Sequence, residues 1–179
     1  PVSTELCAAP TTDARIRVHI ASGLKQDHPA DVMRGEETQI AGLLATDPEF
    51  DGVLCLPGTH TKWAHISAGE VVSVRTFMTG ELFGLMAEQS MLRHSVSVEN
   101  APIDHAAFTE ALGDAMAKPE AVAARLFGLR AETLVHSLDP VVARSRLSGF
   151  LIGMELAAAR PYWLGRRVTV IGAPALAKA

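Results

Sequence analysis

Apolar and polar positions alternate along Arg15-Ile16-Arg17-Val18-His19-Ile20, the period of a half-buried strand, so a strand is predicted over residues 15–20. Residues 22–29 lose that period and read as a loop. From Glu36 to Ala45 the apolar positions take helical spacing, and the Asp47-Pro48 pair closes the segment. Gly52 to Leu56 is apolar without alternation, which suits a central strand. Residues 61–66 and 71–77, separated by Ser67-Ala68-Gly69, read as a hairpin. Leu82, Phe83, Leu85, Met86 and Leu92 give an apolar face to a helix over 80–93. Residues 104–136 are helix-rich, with breaks near Lys118-Pro119 and Gly128. Pro140 suits the first turn of a long helix reaching about Ala159, and 167–171 reads as a last strand. Strands and helices mixed in this order predict an α/β fold. The hairpin interrupts the alternation, so the sheet should be mixed rather than all parallel.

Composition narrows the function classes. A chain of 179 residues, 48% hydrophobic, can bury the core of one domain. Its net charge of -4 and the absence of a Lys/Arg cluster argue against nucleic acid as a partner. The longest apolar run, Leu147 to Ala159, is too short to span a bilayer and carries Glu155, so no membrane span is expected. Cys7 and Cys55 lack metal-type spacing, and a reducing, cytoplasmic setting is the simple reading. There is no internal repeat, and no secretory signal opens the sequence. It begins at Pro1 without Met and stops at Ala179 where a helix pattern starts, so both ends are expected to be cuts in a longer protein.

Two segments carry candidate chemistry. Asp31-Val32-Met33-Arg34-Gly35-Glu36-Glu37-Thr38-Gln39 crowds charged side chains at the mouth of an apolar helix. Val53-Leu54-Cys55-Leu56-Pro57-Gly58-Thr59-His60-Thr61-Lys62-Trp63 ends a strand in Pro-Gly, hydroxyls and a lysine. Phosphoryl transfer needs such a pairing: a carboxylate to accept a hydroxyl proton, and backbone donors with a cation to hold phosphate. Common alternatives are missing. The chain has no P-loop signature, no G-x-G-x-x-G after a strand, no H-E-x-x-H around His60 or His65, and no nucleophile elbow. No metal-ligand set is expected. Gly149 and Gly153 form a G-x-x-x-G, which in a short soluble helix means close packing.

Five blocks then resemble one family. Asp31 to Gln39, Leu56 to Trp63, Thr76 to Phe83, Arg146 to Leu156 and Ile171 to Leu176, in that order, look like the 2-dehydro-3-deoxygalactonokinase family. The family is similar to the sugar-kinase branch of the actin/Hsp70/hexokinase fold. The resemblance therefore implies an actin/hexokinase-like (ribonuclease H-like) mixed sheet flanked by helices, in one part of a two-lobed kinase. It implies ATP and Mg2+ as cofactors, a small-molecule sugar acid as partner, and it allows a homodimer. The implied reaction is phosphorylation of 2-dehydro-3-deoxy-D-galactonate at its 6-hydroxyl. The family's usual opening, a strand with an Asp-Trp-Gly-Thr-type phosphate loop, is not in this sequence. Residues 1–179 are accordingly expected to be the central part of the enzyme. The rival readings are a non-catalytic lobe that binds nucleotide or a partner, and a kinase for another sugar acid.

Site residues carry over block by block. The acidic pair before the second phosphate loop places Glu37 first and Glu36 second as general base, where relatives of this fold usually carry Asp. From residue types alone both would simply complement the helix dipole. Gly58, Thr59, His60, Thr61 and Lys62 match the phosphate loop, against the alternative of a solvated turn. Arg34 fits a substrate carboxylate, or else a salt bridge to Asp31 or Glu37, and Asp31 joins it as a substrate-side candidate. Thr79, Gly80 and Glu81 would line the sugar-acid pocket or cap the following helix. Gly172, Ala173 and Pro174 resemble the adenosine loop, with Gly149 and Gly153 approaching the nucleotide or packing on another helix.

Overall fold

The computed structural model describes residues 6–98 and 102–172, which gather into two compact units. The first comprises Pro1–Thr76 with Tyr162–Ala179, the second Phe77–Pro161.

The first unit is built on a mixed sheet. Strand β5 (Gly52–Leu56) is buried at every position, as its unbroken apolar run requires. It pairs antiparallel with β6 (Thr61–Ser67), from Gly52 opposite Ile66 to Leu56 opposite Lys62. It pairs parallel with β8 (Val168–Val170), and with β7 (Glu70–Phe77) the order is β7-β6-β5-β8. The β6–β7 turn uses Ala68 at φ 51° and Gly69 at φ 72°, the doubly left-handed geometry that matches strand twist in tight hairpins. Helix α1 (Glu36–Thr46) covers the sheet, and Ile40, Leu43 and Leu44 pack with Phe50, Leu54, Leu56, Ala64 and Ile66.

Two short antiparallel pairs complete this unit: β1 (Leu6–Ala9) with β2 (Val18–Ala21), and β3 (Leu24–Gln26) with β4 (Asp31–Met33). The second pair corrects the expected loop at 22–29. Side chains rather than apolar pattern hold it. The Gln26 amide accepts from Val74 N–H at 2.9 Å and donates to Val74 C=O at 3.2 Å, imitating a backbone bridge to β7.

The second unit is helical. It runs through α2 (Thr79–Glu88), α3 (Arg93–Val96), α4 (His105–Ala117), a 3-10 turn (Pro119–Ala121), α5 (Val122–His136) and α6 (Pro140–Ala158). The helix expected over 80–93 is thus two, parted at Ser90, whose hydroxyl donates to Met86 C=O at 2.6 Å and accepts from Leu92 N–H at 3.0 Å. Asp104 and Asp139 cap α4 and α6. A Cβ on Gly149 would lie 2.4 Å from Phe108 C=O, and one on Gly153 2.5 Å from Leu112 C=O. Both glycines therefore exist to let α4 and α6 touch backbone to backbone. That corrects the expectation that they approach a nucleotide, since the space beside each is filled by α4. Between them Leu147, Phe150 and Leu151 anchor the core with Leu129, Ala111 and Ala115. Among the described residues, no helix is long and apolar enough to cross a membrane.

Candidate active site

The site grows from the first turn of α1. Gly35 precedes it at φ 110° and ψ -45°, a backbone that side-chain-bearing residues rarely adopt. This turn lets the Glu37 carboxylate fold back and accept the Gly35 N–H at 2.6 Å, while the Thr38 hydroxyl donates to Gly35 C=O at 2.5 Å. Glu37 is 1% exposed and lies on the same helix face as Ile40. Glu36, one position round the helix, points elsewhere. Its Oε1 lies 3.9 Å from Lys62 Nζ, and its Oε2 is buried without a hydrogen bond among the described residues. The carboxylate expected first as base is thus committed to the turn. The second is the one that faces the lysine of the phosphate-loop block.

Lys62 brings the two sequence blocks together. It stands at the start of β6 opposite Leu56 and is 5% exposed. Burying an ammonium costs free energy unless an anion compensates, and Glu36 is its ion-pair partner. The connecting residues Gly58, Thr59 and His60 are exposed, whereas Thr61 is buried. A Cβ at Gly58 would meet nothing nearer than His60 C=O at 3.8 Å, so the loop is open to approach. The loop leaves the carboxyl end of β5, and Gly172 leaves the carboxyl end of the parallel neighbour β8. Ile171 N–H bonds Cys55 C=O at 2.9 Å, and a Cβ on Gly172 would lie 3.0 Å from Pro57 Cγ. Ligands of open α/β sheets sit beyond the carboxyl ends of such strands. Ala173 and Pro174 lie outside the described residues.

The other candidates have surroundings of their own. Asp31 Oδ1 accepts the Thr76 hydroxyl at 2.5 Å and Val32 N–H at 2.8 Å, and Oδ2 accepts Thr76 N–H at 2.8 Å. With both oxygens engaged it is a strut from β4 to β7, which corrects its place as a substrate-side residue. Arg34 forms neither of the salt bridges considered for it. It is exposed, without an ion pair among the described residues, immediately before the Gly35 turn. Thr79 and Glu81 belong to the second unit, in the first turn of α2, which has no side-chain cap. The Thr79 hydroxyl donates to Glu155 Oε2, and Glu155 is 7% exposed on α6. The sequence showed Glu155 only as a charge within an apolar run, although its spacing from Leu147 and Leu151 puts it on the buried stripe of α6.

The described residues hold no group of three His, Cys, Asp or Glu side chains that could cage a metal. What they assemble is a cation beside a carboxylate at a helix mouth, next to an open Gly-Thr loop. That arrangement suits an anionic ligand with a hydroxyl to deprotonate.

A family model described as 2-keto-3-deoxy-galactonokinase matches residues 1–179. The chain belongs to the 2-keto-3-deoxy-galactonokinase family. It is 42% identical over 156 residues to the Rhizobium meliloti (strain 1021) protein named Probable 2-dehydro-3-deoxygalactonokinase DgoK1, covering 85% of this chain and 50% of that protein. It is 35% identical over 139 residues to the 2-dehydro-3-deoxygalactonokinase of Escherichia coli (strain K12), covering 78% and 46%. A crystal structure of a Sinorhizobium meliloti protein assigned as a 2-dehydro-3-deoxygalactonokinase superposes with a TM-score of 0.84 at 37% identity, covering 97% of this chain and 58% of that one. The chain spans about half the length of the curated relatives it matches.

Proposed function

We propose that this 2-keto-3-deoxy-galactonokinase family chain forms part of a kinase that phosphorylates 2-dehydro-3-deoxy-D-galactonate at its 6-hydroxyl with ATP. The single observation that carries the reading is the Glu36–Lys62 pair at the mouth of α1, beside the Gly58–Thr61 loop. The strand order β7-β6-β5-β8 around a mixed sheet supports an actin/hexokinase-like fold.

Glu36 is the proposed general base. As the sugar hydroxyl oxygen attacks the γ-phosphorus, its proton passes to the Glu36 carboxylate. The bond from the γ-phosphorus to the bridging oxygen breaks, and ADP leaves with that electron pair. Lys62 and the backbone donors around Gly58 and Thr59 hold phosphate oxygens, and the nearby helix N-terminus favours the same negative charge. Arg34 offers a guanidinium fork to the sugar-acid carboxylate. Glu37 shapes the turn that aims Glu36. Glu37 and Asp31 are already engaged, so Glu36 is the residue that would reach a Mg2+ arriving with ATP, and the ion would supply neutralisation of phosphate charge there.

The test is a coupled ADP-release assay on the full-length polypeptide with a panel of 2-keto-3-deoxy sugar acids. Saturable turnover with 2-dehydro-3-deoxy-D-galactonate supports the reading. Turnover with none of the panel overturns it.

A further inference from the structure

Lys62 and Glu36 form an ion pair of an unusual kind for this chain. Arg146 and Glu132, which join α6 to α5, close tightly, with two hydrogen bonds at 2.6 and 3.1 Å. Lys62 and Glu36 stop at 3.9 Å, beyond hydrogen-bond reach, although the Lys62 side chain is 7% exposed. An ammonium has three donors, and Glu36 at 3.9 Å satisfies none of them with a hydrogen bond. Glu36 Oε2, buried, accepts none either. Both partners therefore keep bonding capacity in hand, which a permanent strut would use up. The exposed Gly58-Thr59-His60 loop opens beside them.

We infer that Lys62 is an exchangeable cation, held by Glu36 in the empty site and drawn from it by a terminal phosphate of the nucleotide. The inference deepens the kinase reading and rests on it. A phosphate oxygen carries more charge than a carboxylate and can accept hydrogen bonds at close range, so it wins the ammonium. Glu36 then loses its counter-ion and faces the acceptor hydroxyl with both oxygens available. The arrival of phosphate and the release of the base become one event. A consequence with a definite sign follows: in the empty site Glu36 competes with ATP for Lys62, and its charge repels the phosphates. Removing that charge tightens ATP binding, although it removes the base.

The experiment is calorimetric titration of the full-length polypeptide with ATP. Glu36→Gln is expected to bind about tenfold more tightly than the unaltered protein. Lys62→Met is expected to bind on the order of tenfold more weakly. In the double variant, Glu36→Gln brings no tightening, because its effect runs through Lys62. Melting curves establish that each variant is folded. Glu36→Asp, whose carboxylate withdraws by one methylene, is the second probe and falls between the unaltered protein and Glu36→Gln. Unchanged or weaker ATP binding by folded Glu36→Gln overturns the exchange, as does equal tightening with Lys62 absent. An unaltered protein that binds no ATP overturns the kinase reading itself, and the inference with it.

Discussion

Gly149→Ala puts one methyl group into the α4–α6 contact and tests what the paired glycines are for. The added Cβ would lie 2.4 Å from Phe108 C=O and 2.9 Å from Ala111 Cβ. Ordinary contact begins near 3.4 Å, so α4 must withdraw by about 1 Å, and the nearest obstacle is backbone that no rotamer change can clear. Overpacking of this kind costs about 1–3 kcal/mol. Alanine regains roughly 1 kcal/mol of helix propensity over glycine. The clash offsets or exceeds that gain, and the net loss is about 0–2 kcal/mol, or roughly 2–4 °C of Tm for each kcal/mol in a chain of this size. Gly113 on α4 supplies the control, because a Cβ there meets nothing within 4 Å. Gly113→Ala keeps only the propensity gain and is expected to stabilise by about 0.5–1 kcal/mol. Urea unfolding followed by circular dichroism reads both variants. Equal stabilisation by the two substitutions would refute the reasoning, and a stable Gly149→Ala protein with lost ATP binding would return that glycine to the nucleotide.

Glu37→Ala removes a buried, charge-assisted bond to Gly35 N–H and is expected to cost about 1.5–3 kcal/mol in denaturant unfolding. Gly35→Ala forces φ 110° on a residue with a side chain and is expected to cost about 1–2 kcal/mol, measured the same way. The Arg146 guanidinium hydrogen-bonded to Glu132 holds that carboxyl below the usual carboxylate range. A depressed carboxylate stabilises the fold above its unfolded-state value and loses that contribution as pH falls through its folded value. The half-exposed pair is therefore expected to give a Tm loss below about pH 5 that shrinks in Glu132→Gln, with the variant less stable at pH 7 by about 0.5–1 kcal/mol.

Much of the fold could be read from local pattern. Gly52–Leu56 has no polar residue to interrupt it, and the structure buries the whole strand. The Ser67-Ala68-Gly69 turn and the caps before α4 and α6 depend on residues within a few positions, so they too were visible. β1 and β4 were missed, and β3 was read as loop, because they are three or four residues long and gain support from distant partners. Gln26 reaches Val74 and Asp31 reaches Thr76, links that no window of sequence contains. The candidate site was legible as a pair of blocks, but the ranking within Glu36-Glu37 was not. Glu36 and Glu37 stand four and three residues before Ile40, both on its side of α1, so helix spacing could not rank them. The 3.9 Å approach of Lys62 to Glu36 depends on how β6 and α1 pack, and only the structure shows it.

The claim that Glu36 rather than Glu37 takes the proton is tested most directly by comparing kcat for Glu36→Gln and Glu37→Gln in the full-length polypeptide, with ATP binding and melting curves measured in parallel. General-base loss typically lowers turnover about 10²–10⁴-fold, and that is the result expected for Glu36→Gln while it remains folded and ATP-bound. Glu37→Gln, which keeps an acceptor for Gly35 N–H, is expected to stay within about tenfold of the unaltered kcat, its main loss being stability. A hundredfold or greater loss confined to Glu37→Gln, with Glu36→Gln near normal, would contradict the account and give the base to the buried carboxylate.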